Sequence, residues 1–417
     1  MLTFSDVSLP SIKGKAIAVI GMRRAGKTSF LHQCRRSLIE GGRSPERLLC
    51  FNFEDERLSG LKAEDLGGIS DTLQRLYPEP AEETVTLFLD EIQLIDGWEK
   101  YVRRLLDTPG YEILISGSSA KLLSREIATS MRGRAWEIEM HPFSFREFLR
   151  HHSHEVPENI ARLSMKKATA LDHHFHQYFI EGGFPEAQGL PALEQRQLLQ
   201  GYVDVLLLRD VIERHAVSNP TALLWMVRRL LRSPGGLFSV TKFAAEMKSL
   251  GIPVGRETLY EYLDHLQDAF LLHTIPIATD SEKRRQINPR KVYPADSGLI
   301  TVYDQSGREN LGHRLETMVF IELRRRRAEV AYVKTEKGYE IDFRARHLDG
   351  REEFIQVCAS VDDPETLARE VRALANAPAD YHEVERIILT AETRLPFPEV
   401  PSGIRILPAW KWMLADR

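Results

Sequence analysis

From Lys15 to about Leu149, short apolar runs alternate with amphipathic stretches: AIAVI, a helical segment after Lys27, LLCFNF, a helix, VTLFLD, a helix and YEILISG. Apolar strands separated by helices predict a parallel sheet with helices on both faces. Around Pro157 to Val217 the strand-like runs vanish and helical periodicity takes over, with GGFPE as a turn, so a helical lid or linker is expected. From Pro220 three helical segments lead into FLLHTIPI, the order of a winged helix-turn-helix. The basic stretch SEKRRQINPRK opens a last region. There the helix LGHRLETMVFIELRRRR precedes strands at AYVKT, YEIDFRAR and residues 354–360, a helix near 366–375, and RIILT. A chain of 417 residues exceeds what one hydrophobic core supports, and the pattern divides it at 1–150, 151–217, 218–280 and 281–417.

Chemistry enters at the first strand-to-helix junction. Gly21-Met22-Arg23-Arg24-Ala25-Gly26-Lys27-Thr28 fits G-x-x-x-x-G-K-[ST] in full. The glycines let backbone N–H groups turn toward phosphate oxygens, Lys27 reaches the terminal phosphates, and Thr28 can hold Mg²⁺. The motif follows the strand AIAVI and opens a helix, the context such a cradle requires. Gly21, Arg23, Arg24, Ala25, Gly26, Lys27, Thr28 and Ser29 are therefore expected to bind ATP.

About sixty residues later, the strand Thr86-Leu87-Phe88-Leu89 ends in Asp90-Glu91. Asp90 would hold Mg²⁺ through its water shell, and Glu91 would polarise the attacking water as catalytic base. An acid directly after the magnesium aspartate favours hydrolysis over simple binding. The next strand ends in Ser116-Gly117-Ser118-Ser119. A hydroxyl there, Ser118 among them, could sense the γ-phosphate, and Ser-Gly-Ser is equally an ordinary strand-to-helix cap. Charge on the transferring phosphate also asks for an arginine. MRGRAWEIEMHPFSF offers Arg132 and Arg134, with Arg134 the candidate finger or sensor, acting in its own chain or on a neighbour.

Composition adds limits. Lysines and arginines number 56 against 60 acidic residues, a formal net charge of −4, so no global field draws the protein to nucleic acid or membrane. A nucleic-acid role needs a local patch, and Lys283, Arg284, Arg285, Arg290 and Lys291 form one. The helix RETLYEYLDHLQDAF stands where a recognition helix would, yet it carries Glu257, Glu261, Asp264 and Asp268 against Arg256. That charge argues against major-groove docking and favours packing or protein interaction. Cys34, Cys50 and Cys358 are too scattered for a disulfide framework or a metal site, which fits a reducing cytoplasm. No apolar run approaches a bilayer-spanning length, so a soluble protein without a membrane partner is expected. The groups His151-His152-His154 and His173-His174-His176 read as a solvated face.

The segments GMRRAGKTS, CFNFEDERL, LFLDEIQ, ISGSSAKLLSREIATSMRGRAWEIEMHPFSFREFL, GGFPE and LLLRDVIER occur in this order. Together they resemble a family of bacterial and archaeal AAA-type P-loop ATPases that carry a C-terminal domain of unknown function. The likeness continues through NPRKVYPADSGL, LETMVFIELRRR, GYEIDF and FIQVCAS. It implies ATP and Mg²⁺ at Gly26, Lys27, Thr28, Asp90 and Glu91. AAA-type relatives often form rings, so an oligomer is compatible with it, as is a protein partner. The last region resembles the restriction-endonuclease-like fold, whose active members place a helix Glu, a strand Asp and an E-x-K pair around a divalent metal. Glu316 or Glu322 suits the helix acid and Asp342 the strand acid, but the third element reads Gln356-Val357-Cys358. Cysteine cannot replace the lysine that stabilises developing charge, so an inactive, binding domain is expected. Asp342 beside Arg344 and Arg346 equally suits a surface ion pair, and Cys358 a small core residue.

The expected architecture is thus α/β: an AAA-type P-loop sheet, a helical lid, a winged helix and a restriction-endonuclease-like domain. Three activities remain in play. They are an ATPase whose cycle moves the C-terminal domains, a nucleotide-gated nucleic-acid-binding or regulatory module, and an ATP-dependent nuclease.

Overall fold

The computed structural model describes residues 14–76, 84–119, 131, 133–303, 311–378, 384–392 and 397–415. They fall into two compact units, residues 3–141 with 268–270 and residues 142–267 with 271–417. Arg132 lies outside the described residues.

The first unit is built on strands β1 (Ala16–Ile20), β2 (Leu48–Asn52), β3 (Val85–Asp90), β4 (Tyr111–Gly117) and β5 (Ala135–Glu139), with helices α1 (Lys27–Glu40), α2 (Gly67–Leu76) and α3 (Trp98–Leu106). The sheet order is β2-β3-β4-β1-β5, parallel throughout. VTLFLD of β3 is buried at all six positions, as a strand covered on both faces must be. Val19, Phe88 and Leu114 pack on Phe30, Leu31 and Cys34 of α1 to form one core cluster. Burying side chains of this size stabilises by about 1.5–3 kcal/mol each, so packing rather than propensity holds α1 in place. Strand β5 is the element the sequence pattern missed. AWEIE alternates only weakly and lies at the sheet edge, where half-exposed positions blur the apolar signal.

The second unit begins with α4 (Phe145–His151), α5 (Met165–Glu181) and α6 (Ala192–Val205), the last running into a π-helical segment, Leu206–Glu213. Helices α7 (Pro220–Arg232), α8 (Val240–Ser249) and α9 (Arg256–Asp268) follow, and β6 (Leu237–Phe238), β7 (Leu272–Ile275) and β8 (Arg290–Pro294) form a small sheet ordered β6-β8-β7. Between β7 and β8 lies α10 (Glu282–Ile287). After α11 (Ile300–Tyr303) and α12 (Leu311–Arg325), strands β9 (Glu329–Lys334), β10 (Glu340–Arg346), β11 (Glu352–Cys358), β12 (Glu385–Thr390) and β13 (Ile404–Pro408) make a mixed sheet in the order β13-β12-β11-β10-β9. Helices α13 (Pro364–Ala375) and α14 (Ala409–Leu414) complete the chain. Among the described residues no helix is long and apolar enough to cross a membrane.

Two of the quoted sequence blocks, GGFPE and PADSGL, form one structural lock. Asp296 accepts hydrogen bonds from the backbone N–H groups of Gly183 and Gly298, each at 2.8 Å. Burial pushes its carboxyl up to about 6, against the lowering effect of those donors. A Cβ on Gly183 would stand 2.4 Å from the carbonyl oxygen of Phe143, so only glycine lets the two backbones approach. Gly183→Ala should cost about 3 kcal/mol in urea unfolding. Gly201→Ala should stabilise by about 0.5–1 kcal/mol, because Gly201 lies inside α6 with nothing near its missing Cβ. Equal costs for both would show that the Gly183 approach is not tight.

Candidate functional site

Parallel strands bring their carboxyl ends to one side of the sheet, and open α/β sheets bind ligands there. Strand β1 runs into Gly21, whose φ is 149° and whose missing Cβ would lie 2.2 Å from the carbonyl oxygen of Met140. Gly26, at φ 101°, caps α1. Arg24 takes φ 66°, a left-handed conformation unusual for a side-chain-bearing residue. The loop therefore curls so that Lys27 opens the helix with its side chain 5% exposed.

The Lys27 ammonium donates to the carbonyl oxygens of Gly21 at 3.1 Å and Met22 at 3.3 Å, and lies 3.5 Å from Glu91 Oε1. Thr28 Oγ1 donates to Asp90 Oδ2 at 2.7 Å. Glu91 follows at φ 53° and receives a hydrogen bond from the Gln93 amide. Burial alone would raise the Glu91 carboxyl, but Lys27 beside it, the Gln93 bond and Arg23 bring it below its ordinary value. Arg23 Nη1 donates to Glu54 at 2.6 Å. Ser29 is exposed and Ala25 buried in the same turn.

Four of the sequence candidates, Lys27, Thr28, Asp90 and Glu91, thus meet directly, with Gly21 and Gly26 shaping the loop that carries them. Ser118 does not join their hydrogen bonds. Its hydroxyl is buried and unbonded among the described residues. Ser116, two positions earlier, donates to Asp90 Oδ1 and accepts the Glu91 backbone N–H at 3.1 Å. Strand alternation could have found it, since Ser116 and Ser118 share one face and Ser116 lies nearer the acidic pair. Arg134 is not brought to the site either. Its carbonyl bonds the N–H of Ala16, at the opposite end of β1 from Gly21, and its guanidinium pairs with Asp107.

An AAA domain is matched over residues 13–149, and a domain of unknown function (DUF8612) over residues 172–308. An uncharacterized protein of Methanocaldococcus jannaschii, MJ1544, is 33% identical over 420 residues, covering 98% of this chain and 90% of the relative. The chain belongs to the family of AAA-type P-loop ATPases that carry a domain of unknown function. An uncharacterized protein of Haemophilus influenzae is 31% identical, over 95% of this chain and 93% of that protein. Among solved structures, the Walker-type ATPase PABY2304 of Pyrococcus abyssi is similar at 15% identity and a TM-score of 0.39, covering 69% of this chain and 90% of that one. A likeness that loose says nothing of function.

Beyond the AAA domain, four expectations for this family member need correction. Lys291 is not part of an exposed basic stretch: its side chain is 2% exposed and bonds Glu316 and Asp342, whereas Lys283 and Arg284 on α10 are exposed. Asp342 does not pair with Arg344 or Arg346, both of which turn to Glu352. Of the two helix acids, Glu316 faces Asp342 through Lys291, while Glu322 pairs with Arg326 at 3.0 Å. Gln356 accepts the Asp342 N–H at 2.6 Å. Cys358 is a core residue, its thiol pushed up to about 12 by burial and neighbouring carboxylates. On α9, Glu257, Glu261 and Asp264 are exposed as expected of an acidic face, but Asp268 is buried. The histidines that follow α4 and those on α5 are partly stacked rather than fully solvated, with His154 and His174 rings 3.6 Å apart.

Removing the Ser116 hydroxyl leaves a buried Asp90 oxygen and the Glu91 amide short of a partner. Ser116→Ala should destabilise by about 1–3 kcal/mol, and Ser118→Ala by less than about 0.5 kcal/mol, in denaturant titrations. A reversed order would show that Ser118 is the structural hydroxyl.

Proposed function

We propose that the chain hydrolyses Mg-ATP at the loop of residues 21–29 with Asp90 and Glu91, and that the nucleotide cycle gates the domains that follow. The observation that carries this reading is the 2.7 Å hydrogen bond from Thr28 to Asp90. It sets two hard oxygens from the loop and the strand end side by side, a donor set suited to Mg²⁺. Thr28 and Asp90 would hold the magnesium ion, which would supply neutralisation of the charge that develops as the phosphoryl group transfers.

In this reading Gly21, Arg23, Arg24, Ala25, Gly26 and Ser29 line the phosphates, chiefly through backbone amides. Lys27 exchanges the carbonyls of Gly21 and Met22 for phosphate oxygens. That exchange draws the ammonium from Glu91, which then accepts the proton of the attacking water. Ser118, with its unbonded hydroxyl, is our candidate for a γ-phosphate contact. Arg134 serves as a finger only toward the nucleotide of a neighbouring copy, given its place at the far end of β1. Two buried cysteines and one exposed one ask for no oxidising compartment, which supports a cytoplasmic setting.

A second reading, in which nucleotide gates nucleic-acid binding, is favoured by the exposed Lys283 and Arg284 on α10. Steady-state ATP hydrolysis with and without single- and double-stranded DNA separates the two. Glu91→Gln should lower turnover by about 10²–10⁴ while ATP still binds, and Lys27→Ala should lose binding as well. Turnover unchanged in Glu91→Gln would remove the assignment of the base. Stimulation by DNA that vanishes in Lys283→Ala/Arg284→Ala would favour the second reading.

A further inference from the structure

In the second unit, the helix acid Glu316 and the strand acid Asp342 picked out from the sequence converge, with Glu340, on a cation that the sequence reading assigned to the surface. Lys291 Nζ lies 3.0 Å from Glu316 Oε1, 3.0 Å from Glu340 Oε1 and 2.9 Å from Asp342 Oδ1. Three carboxylate oxygens from α12 and β10 thus surround one point, and β8 delivers an ammonium to it. Further hydrogen bonds hold the carboxylates and their neighbours in place. Tyr293 donates to Glu316 at 2.7 Å, the Val357 N–H donates to Asp342 Oδ2 at 3.0 Å, and the Gln356 amide donates to Glu370. Gly235 closes over Glu316 so tightly that a Cβ there would lie 2.7 Å from its carboxylate.

We propose that the Lys291 ammonium is the resident cation of this carboxylate centre, standing where a divalent metal ion would otherwise sit, and that removing the lysine side chain turns the centre into a divalent-cation site. Several observations carry this. Three carboxylates gathered at about 3 Å around one point cannot all stay ionised without a cation at its focus. The focus is occupied by a group that the chain supplies itself, and a second cation at the same point would meet its full charge. As the chain stands, no trio of His, Cys, Asp or Glu among the described residues is arranged to hold a metal. The lysine does not balance the pocket, since one positive charge meets three carboxylates. Burial and Asp342 hold the Glu316 carboxyl up at about 7, against the pull of Lys291. With the ammonium gone, three hard oxygens remain around a gap that Mg²⁺, Mn²⁺ or Ca²⁺ fits once the side chains draw in to metal–oxygen distances. The lysine therefore removes metal chemistry from this sheet by filling the site, independently of the missing E-x-K pair.

The test uses the full chain without nucleotide and Mn²⁺ as probe, followed by electron paramagnetic resonance titration and thermal unfolding. Wild type sets the background from the AAA domain. Lys291→Ala should unfold at lower temperature than wild type in chelator, recover with Mn²⁺, and bind one more Mn²⁺ than wild type, whose own count Asp342→Asn leaves unchanged. Adding Asp342→Asn should abolish the extra ion. If Lys291→Ala does not fold, Lys291→Ala/Glu340→Gln carries less repulsion and is compared in the same way; should that also fail, refolding that requires Mn²⁺ supports the proposal and refolding that fails with Mn²⁺ overturns it. No extra ion in the lysine variants, or an ion in wild type that Asp342→Asn removes, also overturns it.

Discussion

A lysine ammonium taken out of water must be met by oxygen acceptors, and among the described residues this constraint is met at one lysine in each of the two units, in opposite ways. Lys27 rests on two carbonyls at 3.1 and 3.3 Å and on Glu91 at 3.5 Å, a set of weak, replaceable contacts. Lys291 is gripped by three carboxylates at about 3 Å. The looser grip leaves a charge that can change partners, as the proposed function requires. The tighter one suits a charge that holds α12, β8 and β10 in register. Around each lysine the neighbouring groups are also satisfied: Asp90 by Thr28 and Ser116, Asp342 by Val357 and Gln356.

What could be read from the chain follows from how local each signal is. The loop of residues 21–28 is contiguous in sequence, and its strand and helix stand directly beside it, so its place between β1 and α1 was legible. Asp90 and Glu91 were legible because an apolar strand announces its own end. The failures involve contacts made across the fold. Lys291 sits in a run of cations and looks exposed, because nothing local tells that β8 faces Glu316, 25 residues on, and Asp342, 51 residues on. Ser116 and Ser118 are alike in sequence, and only the pairing of β3 with β4 selects Ser116. Arg134 precedes an edge strand too weakly patterned to recognise, and so its position at the wrong end of β1 could not be foreseen.

The recognisable blocks also sort by physics. GMRRAGKTS and LFLDEIQ bring together groups that can handle phosphate. GGFPE and PADSGL, equally conspicuous, meet in a lock of two backbone N–H donors on one buried carboxylate. NPRKVYPADSGL belongs to both the lock and the lysine centre, since it contributes Lys291, Tyr293 and Asp296 within six residues.

The helices before and after β7 show why charge has to be read in three dimensions. Helix α9 exposes Glu257, Glu261 and Asp264, which repel a phosphate backbone at any salt concentration where unscreened charges still act. The basic stretch that might have offset them loses Lys291 to the interior, and Arg285 turns partly inward to the carbonyl of Thr279. What remains exposed on α10 is Lys283 with Arg284, two cations on a six-residue helix. Two phosphate contacts give a shallow salt dependence and no reading of base edges. Any nucleic acid held there would be bound weakly and without regard to sequence, so specificity for a partner has to come from another surface, and the acidic face of α9 is better matched to a basic protein than to DNA.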